Sequence, residues 1–539
     1  MKKLSLQILI IASTFYQAQT FTKQDTLKGS DTAFRNFWDV KKYNISVEPN
    51  FETKSLQGNN TISFVITKDV ANPSFQIDLQ QPMKVEKLEA NFPQARVFER
   101  DGDFIFIHSK KKFKKGERLE INIQFSGNPI IAKRAPWDGG WVFAKEKMGN
   151  PWMSVAQEGI GASVWLPIKD IWSDEPDEGI VMKIITPKNL VGVGNGRLIH
   201  QKAENNKNIF TWEIKNPINA YSIVPTIGKL VNFKDVYDGE KGKLDLDYWV
   251  LEENLDKAKK QFQQVKPMLK AFEYWFGPYP FYEDSYKLVE TPYLGMEHQS
   301  NVAYGNHYMN GYLGSDLSGT GVGLQWDYII IHESGHEWFA NNITAKDQAD
   351  MWIHEAFTTY SETLFVENYL DKKSADIYIQ GERNNTENDV PIIGKYGVRN
   401  EGSGDMYFKG AGMLHTMRQI INDDAKFRNI LRGLNKDFYH QTVTTKQVED
   451  YISQKSGFDF SSLFNQYLRT TKIPVLEYQQ KGSHLKYRYV DTIDGLNLPV
   501  RISNTLTISP SKEWQTINLS NANPVDWNKN YFIHFVKTP

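Results

Sequence analysis

The 539-residue chain contains no cysteine, so neither a disulfide framework nor a lipid-modified N-terminal cysteine is available to it. Its charge does not lean either way. With 63 basic against 64 acidic side chains, nothing electrostatic recommends nucleic acid or an anionic membrane as partner. After the first twenty residues no apolar run reaches the roughly 18 residues that a membrane span needs, and no internal repeat or low-complexity segment is found. The length suggests two to four domains, at roughly 100–200 residues each.

Lys2 and Lys3 precede the apolar stretch Leu4 to Phe15, which ends in the polar Gln17-Ala18-Gln19-Thr20. This reads as a cleavable secretory signal over residues 1–19, cut near Ala18 or Gln19, and predicts an exported protein, periplasmic or secreted. From 20 to 235 short runs alternate with period two, as in Tyr43 to Val47, Thr61 to Ile66, Phe75 to Leu79, Phe104 to Ile107 and Leu119 to Phe125; an antiparallel β domain is expected. The basic run Lys110 to Lys115 lies among these strands and reads as a solvated hairpin loop. In the segment 236–472 the period changes: Leu255, Ala258, Phe262, Val265 and Leu269 recur at helical spacing, and helices follow over 325–341, 354–370, 408–421 and 446–454. Alternation returns over 473–539, predicting a small terminal β-sandwich.

One pentapeptide carries chemistry. His332-Glu333-Ser334-Gly335-His336 sits in a helical pattern, where a four-residue spacing is close to one turn and puts both imidazoles on one face. Glu333 stands beside them, in reach of a metal-bound water. A catalytic zinc needs three protein ligands and an open position. Glu355 is the natural third ligand, placed so that one helix ends and a second, antiparallel one begins between the two segments. Without a metal, four buried ring nitrogens would need other partners. Imidazole and carboxylate donors favour zinc over magnesium or calcium, one ion per chain.

At this point the chain resembles the aminopeptidase N family of zinc metallopeptidases, which includes leukotriene hydrolase. His332 to Phe339 and Trp352-Ile353-His354-Glu355-Ala356-Phe357 are similar to that family's two zinc segments, and Leu294-Gly295-Met296-Glu297-His298 to its exopeptidase motif. The resemblance runs from about residue 40 to 470. It implies an α+β multidomain chain with an N-terminal β-saddle, a thermolysin-like, mainly helical catalytic domain and the small C-terminal β-sandwich. It further implies that Glu297, with Gly295 and Met296, meets the substrate's N-terminus. The segment ending at Pro167-Ile168-Lys169-Asp170 supplies a second ammonium anchor, Glu158 rather than Gln157. Tyr407, in Tyr407-Phe408-Lys409-Gly410, takes the oxyanion role. Glu362, two turns after Glu355, is placed behind a metal-bound histidine. The chain departs from the family at Leu294, Gly295, His298, His354 and Ala356, and both histidines are expected to be packed neighbours.

The expected function is therefore a metallo-aminopeptidase that acts on peptides with a free N-terminus. A zinc endopeptidase is one alternative and a catalytically silent peptide-binding module another. Many family members carry a large helical C-terminal domain that roofs the site, and the chain is expected to lack it and to be more open. Oligomeric state and the preferred N-terminal residue are not legible.

Overall fold

A computed structural model describes residues 20–94, 98–503 and 505–539; the segment 1–19, expected to be a secretory signal, lies outside the described residues. The β-rich first part centres on a seven-stranded sheet in the order Arg197–Glu204, Lys207–Ile214, Ile180–Pro187, Trp38–Asn50, Ser55–Ile66, Arg118–Gly127, Lys84–Ala90. All its pairings are antiparallel except that of Trp38–Asn50 with Ile180–Pro187, which is parallel. A long excursion separates those two strands, so no hairpin dictates their direction. Along Trp38–Asn50 the side chains of Trp38, Val40, Tyr43, Ile45 and Val47 are buried, and a bulge at Val40/Lys42 keeps them on one face. The basic run is solvated, with Lys111 paired to Glu117 and Lys114 to Asp69. Its Lys112 and Phe113 nonetheless form a two-residue strand against Val70 and Ala71, because Phe113 is buried in the core.

A four-stranded sheet, Gly140–Lys145, Pro151–Ala156, Thr226–Gly228 and Val191–Val193, leads toward the functional cavity. A five-stranded sheet then joins Leu230–Gly239, Gly242–Leu251, Tyr286–Glu290, Val302–Tyr304 and, at its edge, Gly295–Met296. The expected division at 235/236 falls inside the strand Leu230–Gly239. The helix Val265–Phe276 buries Met268, Leu269, Phe272, Trp275 and Phe276 and stops at Gly277, whose φ of 94° a side chain would resist.

The C-terminal strands Gln515–Asn518, His484–Val490, Val475–Lys481 and His534–Lys537 form one sheet, and Val500–Arg501 pairs with Thr507–Ile508. These strands do not close on a core of their own. Leu476, Leu485, Tyr489 and Phe532 belong to the same continuous core as the helices Tyr328–Gly335 and Trp352–Tyr369. Phe532 donates its N–H to Thr416 Oγ1 at 2.8 Å and accepts from Tyr467 Oη at 2.6 Å, which braces the helix Phe408–Ile421.

Candidate metal centre and substrate cavity

The helix Tyr328–Gly335 is buried along its whole length. Asp327 caps it by accepting from the backbone N–H groups of Ile329 and Ile330, and also accepts from Tyr304 Oη, Asn306 Nδ2 and Gln261 Nε2. The antiparallel partner is the helix Trp352–Tyr369. The two approach closely because position 335 is glycine: a Cβ there would lie 2.6 Å from Ser361 Oγ. The expected helix over 325–341 is shorter in fact. After His336 the backbone leaves helical geometry at Phe339 and Ala340, the latter with φ of 142°, which turns Asn341 so that its Nδ2 donates to Glu297 O at 2.8 Å. A break of this kind persists only where the surroundings enforce it.

His332 Nε2 and His336 Nε2 stand 3.3 Å apart, and Glu355 Oε2 lies 3.7 and 3.4 Å from them. Donors about 2.0–2.2 Å from one tetrahedral ion stand roughly 3.3–3.6 Å from each other, so this triangle has the size that zinc requires. The outer ring nitrogens are engaged: His332 Nδ1 meets Glu362 Oε1 at 2.7 Å, and His336 Nδ1 meets Phe339 O and Thr358 Oγ1, each at 3.1 Å. Both imidazoles are thereby oriented with Nε2 inward. Glu362 is itself held by Tyr378 Oη at 2.6 Å, and the buried Glu382 lies beyond it. Burial disfavours charge on Glu355, but the two imidazoles outweigh it and hold the carboxyl well below its usual range.

Glu333 lines the same cavity, its carboxylate against the bare backbone of Gly295, where a Cβ would come within 2.6 Å of Oε1. Burial, opposed by the imidazoles and aided by Glu297 and Glu355, pushes it up to about 7. Tyr407 faces His332, ring centroids 6.0 Å apart. Burial and then the nearby carboxylates Glu355 and Glu158 raise its phenol well above its usual value, so it stays a proton donor.

Across the cavity the carboxyl groups of Glu158 and Glu297 lie close enough to act on each other, Glu297 buried and Glu158 half-buried with its Oε1 shielded from solvent. Burial first, then the charges of Glu297 and Glu355, push the Glu158 carboxyl well above its ordinary range. Gln157 is excluded from this role by its bonds: Nε2 donates to Tyr221 O and Ile223 O, and Oε1 accepts from Trp165 Nε1. Met296 lines the cavity. His354 does not; its ring stacks on Trp172 at 5.1 Å and its Nε2 accepts from Ala345 N–H. His298 is fully buried, and burial holds both histidines down to about 3.

Several contributors carried no local signal. Tyr221, whose phenol faces Glu297, is an isolated aromatic in the sequence. Tyr328 lies 3.2 Å from His332 Nδ1 and stacks on its ring. It is one turn upstream at helical spacing, the single clue available.

A mostly helical region thus bears a two-histidine, one-glutamate triangle that could hold a metal ion, with a further acid beside it. Residues 260–467 match the family described as Peptidase family M1 domain, in keeping with the resemblance carried by the motifs. Curated relatives include a probable aminopeptidase 1 of Sulfurisphaera tokodaii, 19% identical over 75% of this chain and 50% of the relative. Leukotriene A-4 hydrolase of Xenopus laevis is 24% identical over 63% of this chain and 57% of its own length. The chain thus spans half to three fifths of these relatives. The solved M1 zinc metallopeptidase of Deinococcus radiodurans superposes with a TM-score of 0.69 at 18% identity, covering 82% of this chain and 96% of that one.

Proposed function

We propose that the protein is a zinc-dependent aminopeptidase that hydrolyses the first peptide bond of peptides with a free N-terminus. The observation that carries this reading is the pair Glu158 and Glu297 beside the metal donors, each with a shielded Oε1 that has no hydrogen-bond partner: two carboxyl groups this close are costly until a cation neutralises them, and a peptide's ammonium is such a cation. The D. radiodurans neighbour has also been solved, as a variant, with a Tyr-Ser-Ala substrate bound.

His332, His336 and Glu355 would hold the zinc, which when bound lowers the pKa of water to about 7 and polarises a carbonyl. Glu158 and Glu297 hold the ammonium, which fixes the first carbonyl in register with the attacking water. Gly295–Met296 is the edge of its sheet, so its backbone is open to pairing with an extended substrate. Glu333 takes the proton of the attacking water and hands it to the leaving amine; a carboxyl poised near neutrality suits both steps. Tyr407 donates to the oxyanion, a bond worth about 2.7–4 kcal/mol when well aimed. Glu362 keeps His332 oriented.

The chain's first twenty residues support export to the periplasm or beyond, which sequencing the mature N-terminus would check. No helix among the described residues is long and apolar enough to cross a membrane. Function is tested with one peptide in free-amine and N-acetylated form, each with and without a zinc chelator. Chelator-sensitive release of the first residue from the free amine alone is expected. Internal cleavage of both forms would establish an endopeptidase, and no cleavage by zinc-loaded protein a silent binding module.

A further inference from the structure

Five carboxylates line the cavity, Glu158, Glu297, Glu333, Glu355 and Glu401, and neither lysine nor arginine does. Four of them have work in the mechanism above. Glu401 has none, and it makes no hydrogen bond or ion pair with any described residue. A divalent ion and one ammonium leave the five carboxylates two negative charges in excess, and the proton that passes from the attacking water to Glu333 does not change that total; the nearby Arg399 offsets part of it.

Glu401 is not placed at random. Its loop is pinned to the N-terminal region by Arg399, whose Nε donates to Gly159 O at 2.9 Å, Nη2 to Glu158 O at 3.3 Å and Nη1 to Asp170 Oδ2 at 3.5 Å. Gly402, with φ of 81°, folds the chain back so tightly that a Cβ would sit 2.1 Å from Ile392 O. The Arg399 guanidinium is engaged by these contacts and forms its ion pair with Asp170 rather than Glu401, although its charge is felt at Glu401 and partly offsets that of Glu355. The charge of Glu401 is felt at Glu158, and that of Glu355 at Glu401. The carboxylate therefore lines the cavity within electrostatic reach of both the ammonium anchor and the third metal donor, where a cationic side chain of the substrate can meet it. Met351, Met406 and Phe408 line the same cavity and offer apolar surface for a methylene stem.

We infer that Glu401 is a specificity-determining residue that selects a positively charged first side chain, arginine or lysine. The inference rests on the aminopeptidase reading and deepens it. Glu401 is open to solvent, so the gain is that of a partly screened ion pair and amounts to about fivefold in kcat/KM.

The test compares arginyl with citrullinyl substrates, which share shape and differ in charge, on zinc-loaded wild type, Glu401→Gln and Glu401→Lys, at low and high ionic strength. An arginine preference of about fivefold is expected at low salt, shrinking with salt, lost in Glu401→Gln and reversed in Glu401→Lys. A ratio near one in the wild type, or one unchanged in Glu401→Gln, overturns the inference. A charge preference seen only with arginine at the second position overturns it too. If wild type cleaves leucyl substrates without any charge preference, only this inference fails. If it releases no first residue from leucyl, arginyl or citrullinyl substrates, the aminopeptidase reading fails and takes this one with it.

Discussion

Gly410→Ala separates two opposing effects whose sizes the structure fixes. Gly410 lies in the first turn of the helix Phe408–Ile421, where alanine gains up to about 1 kcal/mol in helix propensity. A Cβ there, however, would stand 2.6 Å from Ala356 Cβ on the neighbouring zinc helix. Carbon atoms rest at about 3.5–4.0 Å, so the helices must part by about 1 Å, and overpacking of this kind costs about 1–3 kcal/mol. The steric cost wins or, at best, cancels the gain. The functional effect is larger, because Ala356 follows Glu355 and Gly410 follows Tyr407 by three residues: the displacement acts directly on the distance between metal ligand and oxyanion donor. An error of about 1 Å costs about 10²-fold in rate. We expect kcat to fall about 10²-fold with zinc content unchanged and the melting temperature lowered or level. A Gly410→Ala enzyme with wild-type kcat and a higher melting temperature would refute the idea that this contact sets the spacing.

Glu362→Gln weakens the hold on His332 Nδ1 and should lower zinc affinity about 10–100-fold, read by chelator competition; unaltered affinity would assign Glu362 to packing alone. Burial pushes the Asp327 carboxyl up to about 6, above its unfolded value near 4, so its stabilisation is full below about pH 4 and is lost as pH rises through 6. Asp327→Asn should therefore destabilise the metal-free protein more at pH 5 than at pH 7.5, by about 1 kcal/mol, in denaturant melts; a pH-independent difference contradicts this. Glu158 binds its proton more tightly than an ordinary carboxyl, and an ammonium displaces that proton. Calorimetry of an alkylammonium ion with zinc-free protein should show affinity rising from pH 5 to 7 with proton release, abolished in Glu158→Gln.

What the sequence made legible was whatever depends on spacing along one element. His332 and His336 share a face because of the helical period, and the alternation in Trp38–Asn50 marks its buried side directly. The break at Ala340 had no such signature, since it is enforced by the distant bond between Asn341 and Glu297 O. The terminal strands were recognisable, but their lack of a separate core was not, because Phe532 packs on Gly412 more than a hundred residues earlier. Gln157 and Glu158 could be told apart by spacing only with a family pattern in hand. In the structure three hydrogen bonds consume the glutamine's amide and leave the glutamate free for the cavity.

On the proposed reading the protein must hold a fixed distance between ammonium and scissile bond, yet the proposed anchor and the metal donors arise from different layers. Glu158 follows a strand of the β-rich region, while the ligands ride on a helix pair nearly two hundred residues later. The structure bridges them three times. Asn341, just past the second histidine, grips the backbone of Glu297. Arg399, on the loop before Tyr407, grips the backbone of Glu158 and Gly159. Trp172 stacks on His354, the residue before the third ligand. The first and third bridges are buried, while that of Arg399 is partly open to solvent; the third locks the residue before Glu355 to the segment that carries Trp172. Two of the three end on backbone carbonyls, so they position the anchors without consuming the carboxylate oxygens that the substrate needs.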